Sequence, residues 1–278
     1  MITDFLIILP ITLIVLFAGM TFHEFAHNLV AYWWGDPTPK ELGKLTLNPF
    51  AHIAPAGWVV YLAIFVLMGG LFGDIGPILV ILLFIFMYMQ YGGMSFLAIG
   101  LARFQPHRMR NPRWGAFWAT AAGPLSNFLL ALVSAILLRL IFNPTFAYLL
   151  MIRPSSVSQP IDLVALVLVM SVYYNVLIGF FNLLPLAPLD GWHMMLGILP
   201  GQFLMRKQVP VWVQQNMAPL SRFLQEPAYQ WQRWAQLTQL IFFFLFLISF
   251  LPGVPSPFGI LIGEPTNRLV FTLLGMTV

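Results

Sequence analysis

The sequence predicts an all-α integral membrane protein of about six transmembrane helices, and three observations predict it. Of the 278 residues, 60% are hydrophobic and only 8% are charged, against about a quarter charged in an ordinary soluble domain. So few charges cannot cover the surface of a water-soluble fold. Several stretches run for about 20 apolar residues, the length that crosses a hydrocarbon core as a helix. The few Lys and Arg are clustered between those stretches, as topology-setting residues are.

The spans fall in order at residues 5–34, 56–72, 77–101, 115–142, 161–186 and 237–251. The first lacks the basic start of a signal peptide and runs unbroken into His23, Glu24 and His27, so it is expected to be retained. Residues 35–55 are too polar and Pro-rich to span, and Leu45-Thr46-Leu47 alternates weakly like a short strand. A short β-like or irregular loop packed on the helices is expected there. The segment 191–234 is long for a loop, and residues 211–217 and 229–237 read as amphipathic helices along the membrane surface. The tail 258–278 is apolar but interrupted by Gly263-Glu264-Pro265, which predicts an interfacial or re-entrant helix rather than a seventh span. Residues 1–278 read as one membrane-embedded domain without repeats.

Charge sets the orientation. Lys40, Lys44, Arg103, Arg108, Arg110, Arg113, Arg206, Lys207, Arg222 and Arg233 share one side under six alternating spans, and only Arg139, Arg153 and Arg268 fall on the other. The positive-inside rule makes the first side cytoplasmic and places both termini outside. A net charge of +4 without a broad basic face excludes nucleic acid as a partner; the lipid bilayer is the expected surroundings. The absence of cysteine excludes disulfides, thiolate metal sites and thiol nucleophiles.

The chemistry concentrates in His23-Glu24-Phe25-Ala26-His27. Histidines four apart on a helix face the same way and can reach one metal ion, while the glutamate between them can act as general base on a water. Ionisable groups near the end of a long apolar helix are costly to desolvate, and are retained for function. Two histidines leave a zinc site one protein ligand short. His52, His107, His193, Asp74, Asp162, Asp190 and Glu264 are the candidates; Asp190 stands out because it follows the fifth span on the same side as His27. Pro185 and Pro188 before it break the helix, which is tolerated at depth only beside a polar cavity.

Four blocks of this sequence resemble the site-2 protease family of intramembrane zinc metalloproteases, and they occur in that family's order. They are His23-Glu24-Phe25-Ala26-His27, residues 45–53 (Leu-Thr-Leu-Asn-Pro-Phe-Ala-His-Ile), residues 122–127 (Ala-Gly-Pro-Leu-Ser-Asn) and residues 182–191 ending in Leu189-Asp190-Gly191. The resemblance implies one Zn2+ per chain held by His23, His27 and Asp190. It also implies that Glu24 activates the water that attacks a zinc-polarised carbonyl, and that Asn182 holds the substrate backbone or oxyanion. Its substrates would be transmembrane proteins cut in or beside their spans, in the cell membrane of a prokaryote with the site near the cytoplasmic face. The chain looks like a compact member whose first span carries the zinc motif, with no PDZ insertion and no regulatory domain. Ala54, Ala187 and Trp192 depart from the family's commonest spelling without removing a ligand.

The remaining polar residues have plainer expectations. His52 ties the 35–55 loop to the helices, and His107 is solvated. His193, one turn after Asp190, is an alternative ligand. Gly123-Pro124 permits a kink and close helix approach, Asn127 hydrogen-bonds a neighbour or a zinc ligand, and Tyr173, Tyr174 and Asn175 pack. The loop at residues 45–48 is expected to take an unwound substrate segment as an added strand. A transporter with an incidental metal site would spread polar groups through the depth of several spans, whereas here they gather near one face. A non-cleaving relative would be expected to lack one of His23, Glu24, His27 and Asp190.

Overall fold

The structure is a computed structural model that describes residues 2–52, 79, 83, 104–198, 228–249 and 253–277. Helix α1 spans Ile2–Trp33, and two four-residue helices follow it, α2 at Thr38–Glu41 and α3 at Pro49–His52. Then come α4 at Pro112–Ile141, α5 at Pro144–Ile152, α6 at Pro160–Leu183, α7 at Asp190–Ile198, α8 at Ala228–Ile248 and α9 at Glu264–Leu274. Among the described residues there is no strand, so the loop after α1 takes the irregular form rather than the β-like one.

Among the described residues, three helices are long and apolar enough to cross a membrane: Leu6–Trp33, Pro112–Ile141 and Pro160–Leu183. These are the first, fourth and fifth expected spans. The second and third expected spans lie outside the described residues, save Leu79 and Leu83. The expected sixth span falls on α8, which ends at Ile248. Local signals begin these helices: Asn111 caps α4 through the Trp114 N–H, Asn143 caps α5, and Gln159 with Asp162 forms a capping box at α6. Pro at the first turn of each supplies the helical φ where the missing N–H costs nothing.

The core lies where α1, α4 and α6 meet. Ala131, Ala135 and Leu138 of α4 pack with Ala165, Leu166, Val169, Val172 and Val176 of α6, and with Ile11 and Val15 of α1. Small residues on α4 let the backbones approach, which is the main source of packing attraction when lipid is as apolar as the core. The opposite face of α4 stays exposed through Leu129, Leu132, Ile136 and Leu140, as lipid contact requires.

Polar ties sort the helix ends into two layers. At one end the Ser155 N–H donates to Asp4 Oδ1 at 2.9 Å, and Arg139 reaches the Leu273 carbonyl. At the other, buried Asp36 accepts from Thr38 and from the Gln105 N–H, and Arg108 pairs with Glu41 at 2.9 Å. The chain segments before α2 and before α4 are thus clamped together beneath α1.

The tail departs from the sequence expectation at one point: Gly263-Glu264-Pro265 does not interrupt the helix. Glu264 N–H reaches back five residues to the Gly259 carbonyl in a π-turn, so the chain widens around Pro265 and continues as helix instead of breaking. Phe258 stacks near Phe181 at the end of α6, while Phe271 meets Tyr148 of α5 and Val270 and Leu274 enter the main core. The tail therefore runs lengthwise along α6. Leu274→Ala should lower unfolding stability in detergent by about 2–4 kcal/mol, as buried Leu truncations do, while exposed Thr272→Ala leaves it nearly unchanged. Equal melting of the two variants would mean that Leu274 is not part of the core.

Candidate metal centre

His23 and His27 sit on α1 about 9–15 Å before its last residue at 1.5 Å per residue, and both are 3% exposed. Their Nε2 atoms lie 3.0 Å apart. Asp190, the first residue of α7, brings Oδ2 to 3.0 Å from His23 Nε2 and 3.4 Å from His27 Nε2. Three atoms from two helices distant in sequence therefore form one small triangle. A tetrahedral zinc ion with bonds of about 2.0–2.1 Å has ligand-to-ligand edges of about 3.3 Å, which is the size of that triangle.

The far side of each ring shows why Nε2 is available. His27 Nδ1 lies 2.7 Å from the Ala119 carbonyl, which can only accept, so Nδ1 carries the proton and Nε2 presents a lone pair. His23 Nδ1 lies 2.7 Å from Asn127 Oδ1. The Oδ2 atom of Asp190 is buried and has no hydrogen-bond partner. Two bare nitrogens and an ionised oxygen turned inward on one point fit a divalent cation better than they fit one another.

Glu24 is 4% exposed, and one of its carboxylate oxygens lies within 4.8 Å of ligand atoms of both histidines. Its Oε2 is buried without a partner. A carboxylate so placed is costly unless a water or a substrate proton meets it.

Two glycines make the triangle possible. A Cβ on Gly123 of α4 would stand 2.3 Å from His27 Nε2 and 2.7 Å from His23 Cε1, so α4 can cover the site only with bare backbone. A Cβ on Gly191 would stand 2.3 Å from the Leu183 carbonyl and 2.4 Å from that of Leu184. Asp190 can therefore start a new helix hard against the end of α6 only if glycine follows it. Between them the irregular segment 184–189 satisfies its own amides: Leu186 and Leu189 donate to carbonyls two and three residues back, and Ala187 donates to Thr238 Oγ1 of α8 at 3.3 Å.

The other residues singled out from the sequence are placed as follows. Asn182 lies one residue before the end of α6, half-buried, its Nδ2 donating to the Ile178 carbonyl, and no hydrogen bond links it to the triangle among the described residues. His52 is fully buried on α3 and its Nε2 donates to the Thr46 carbonyl at 2.6 Å, which folds the loop upon itself. His193 is exposed with Nδ1 on the Leu189 carbonyl, and His107 is exposed in a short turn. Asp162 caps α6, Glu264 begins α9, and Asp74 lies outside the described residues. Sequence reasoning missed the Ala119 carbonyl, because a backbone group has no signature of its own. Ala187 and Trp192, the two departures in the aspartate block, pack in one buried cluster with Leu196.

The model of Peptidase family M50 matches residues 11–223. YwhC of Bacillus subtilis (strain 168), which bears the name of a zinc metalloprotease, is 32% identical over 193 residues, covering 69% of this chain and 71% of its own length. Comparison with solved structures gives no match.

Gly123→Ala and Gly191→Ala should each lower zinc retained by the purified protein after dialysis at least tenfold, the first by pushing on the imidazoles and the second by moving Asp190. Ala131→Gly, remote from the triangle in the same helix as Gly123, should retain wild-type zinc. Full zinc retention by both alanine variants would mean that the triangle is not a metal site.

Proposed function

The chain belongs to Peptidase family M50 and is a zinc metalloprotease of membranes, and from that premise we propose that it is an intramembrane endopeptidase in which His23, His27 and Asp190 hold one zinc ion and Glu24 is the general base. The observation that carries this reading is the 3.0–3.4 Å triangle of Nε2, Nε2 and Oδ2, with both His–His and His–Asp edges of zinc-ligand size. Zinc in such a site lowers the pKa of water and polarises a peptide carbonyl.

The chain's own groups supply the rest. Glu24 Oε2, buried and without a partner, takes the proton from the attacking water and delivers it to the departing amide nitrogen. Ala119 and Asn127 hold the two rings with Nε2 turned inward. The apolar walls of α1 and α4 keep bulk water from the site, which strengthens each charge interaction. A transmembrane substrate hides its carbonyls in helical hydrogen bonds, so it must unwind locally; the loop at residues 45–48, with Leu47 exposed, offers it an edge. Asn182 then holds the unwound backbone or the developing oxyanion. The whole chain acts as one membrane-embedded unit, in a prokaryotic cell membrane, with the site toward the cytoplasm.

Glu24→Gln should keep zinc at the wild-type level and lower cleavage of a single-span reporter in proteoliposomes at least about 100-fold, the scale of general-base loss. His23→Ala should lose both zinc and cleavage. Cleavage by Glu24→Gln within tenfold of wild type would remove Glu24 from the mechanism.

Orientation has its own test, made simple by the absence of cysteine. With a membrane-impermeant maleimide on whole cells, Ser156→Cys should label at once and Leu42→Cys only after permeabilisation. The reverse pattern would place the site on the outer face.

A further inference from the structure

The amide of Asn127 that meets His23 does not orient itself. Asn127 is fully buried on α4, and its Oδ1 and Nδ2 could exchange places by a simple flip. Flipped, it would turn an N–H toward His23 Nδ1, force the ring's proton onto Nε2 and remove the lone pair from the triangle. What decides the matter lies one helix further away. Asn175 of α6, 1% exposed, donates from Nδ2 to the Ser171 carbonyl at 2.9 Å and to Ser171 Oγ at 3.3 Å. A carbonyl only accepts, so Asn175 must turn its NH2 toward Ser171 and its Oδ1 toward α4. That oxygen receives Asn127 Nδ2 at 2.9 Å, while the Gly19 carbonyl receives the same group at a longer 3.3 Å. Asn127 Oδ1 is thereby left facing His23 Nδ1, which must donate.

We infer that Asn175 is a positioning residue for the metal centre: through Asn127 it fixes His23 as the Nδ1–H tautomer with Nε2 bare. The inference rests on the reading of His23 as a zinc ligand. The chain of bonds crosses all three core helices in one direction: His23 and Gly19 on α1, Asn127 on α4, Asn175 and Ser171 on α6. Each member is buried or half-buried, so no bulk water competes for its bonds and a wrong amide orientation would leave a donor facing a donor. Ser171 is itself held from beyond, its hydroxyl 2.9 Å from Ser134 Oγ of α4. A purely packing role would not need this ordering of donors and acceptors.

The fit around Asn175 supplies a second handle. Gly19 has no room for a side chain, since a Cβ there would stand 2.7 Å from Asn175 Oδ1. Gly19→Ala should push Asn175 off Asn127 without touching a ligand.

The test is competition of purified, folded protein with a chelator, together with the visible spectrum of the cobalt-substituted form, for Asn175→Leu, Gly19→Ala, Ser158→Ala and His23→Ala. Asn175→Leu keeps the side-chain size and removes all three of its side-chain hydrogen bonds. It should weaken zinc binding about 10–100-fold, the range seen when residues behind metal ligands are changed, and shift the cobalt bands, as should Gly19→Ala. Ser158→Ala, at the far end of α6, should leave zinc affinity and cobalt bands at wild-type values. Wild-type affinity and spectrum in both Asn175→Leu and Gly19→Ala, with His23→Ala losing the metal, would overturn this inference alone. Zinc retained by His23→Ala would instead overturn the ligand assignment beneath it.

Discussion

The structure depends on one constraint: two imidazoles and a carboxylate must share a point inside an apolar bundle without any of them being left unpaired. Burying one such group without partners costs several kcal/mol. For the imidazoles the protein meets that cost on a single stripe of α4. Ala119, Gly123 and Asn127 recur every four residues and so lie along one face, antiparallel to the histidines of α1. Ala119 gives His27 a carbonyl, Gly123 gives both rings space, and Asn127 gives His23 an amide. Acceptor, void and acceptor in that order match two histidines one turn apart.

The same stripe explains the rest of the packing. Because backbone must touch the rings at Gly123, α4 is drawn close to α1, and the positions that continue the face, Ala131, Ser134, Ala135 and Leu138, are mostly small and all buried. Helix α6 fills the groove left between them, with Val169, Val172 and Val176 providing apolar contact and Ser171 and Asn175 the polar seam. Core and site are thus one interface, apolar towards one membrane face and polar towards the other.

How much of this was legible in the sequence follows from which groups carry side-chain signatures. The histidine pair is written in a four-residue period, and Asp190 in its place after a span on the same side, so the triangle could be read before any coordinates. The spans at residues 115–142 and 161–186 were equally plain, since apolar runs of that length have few alternatives. The tail misled because Gly263-Glu264-Pro265 has the composition of a helix end, and only a five-residue hydrogen bond from Glu264 to Gly259 carries the helix through it. Asn175 was read as packing because its part depends on a bond order spread over three helices, which no local spacing encodes.

The placement of Asp190 shows how far the site extends along the chain. A side chain at the first turn of a short helix is only as fixed as the segment that leads to it, and residues 184–189 are neither helix nor strand. Gly191 lets that segment fold back onto the α6 terminus, but steric permission does not hold it there. Trp192 does part of that work by packing against Ala187 and Leu196, so the two departures within the aspartate block support each other. Thr238 does another part: its hydroxyl donates to the Ala235 carbonyl and accepts the Ala187 N–H, pinning the segment to α8. Those residues lie beyond position 223, where the match to the family ends. Helix α8 therefore braces the segment that carries Asp190, and the carboxylate's position depends in part on a contact nearly fifty residues after it.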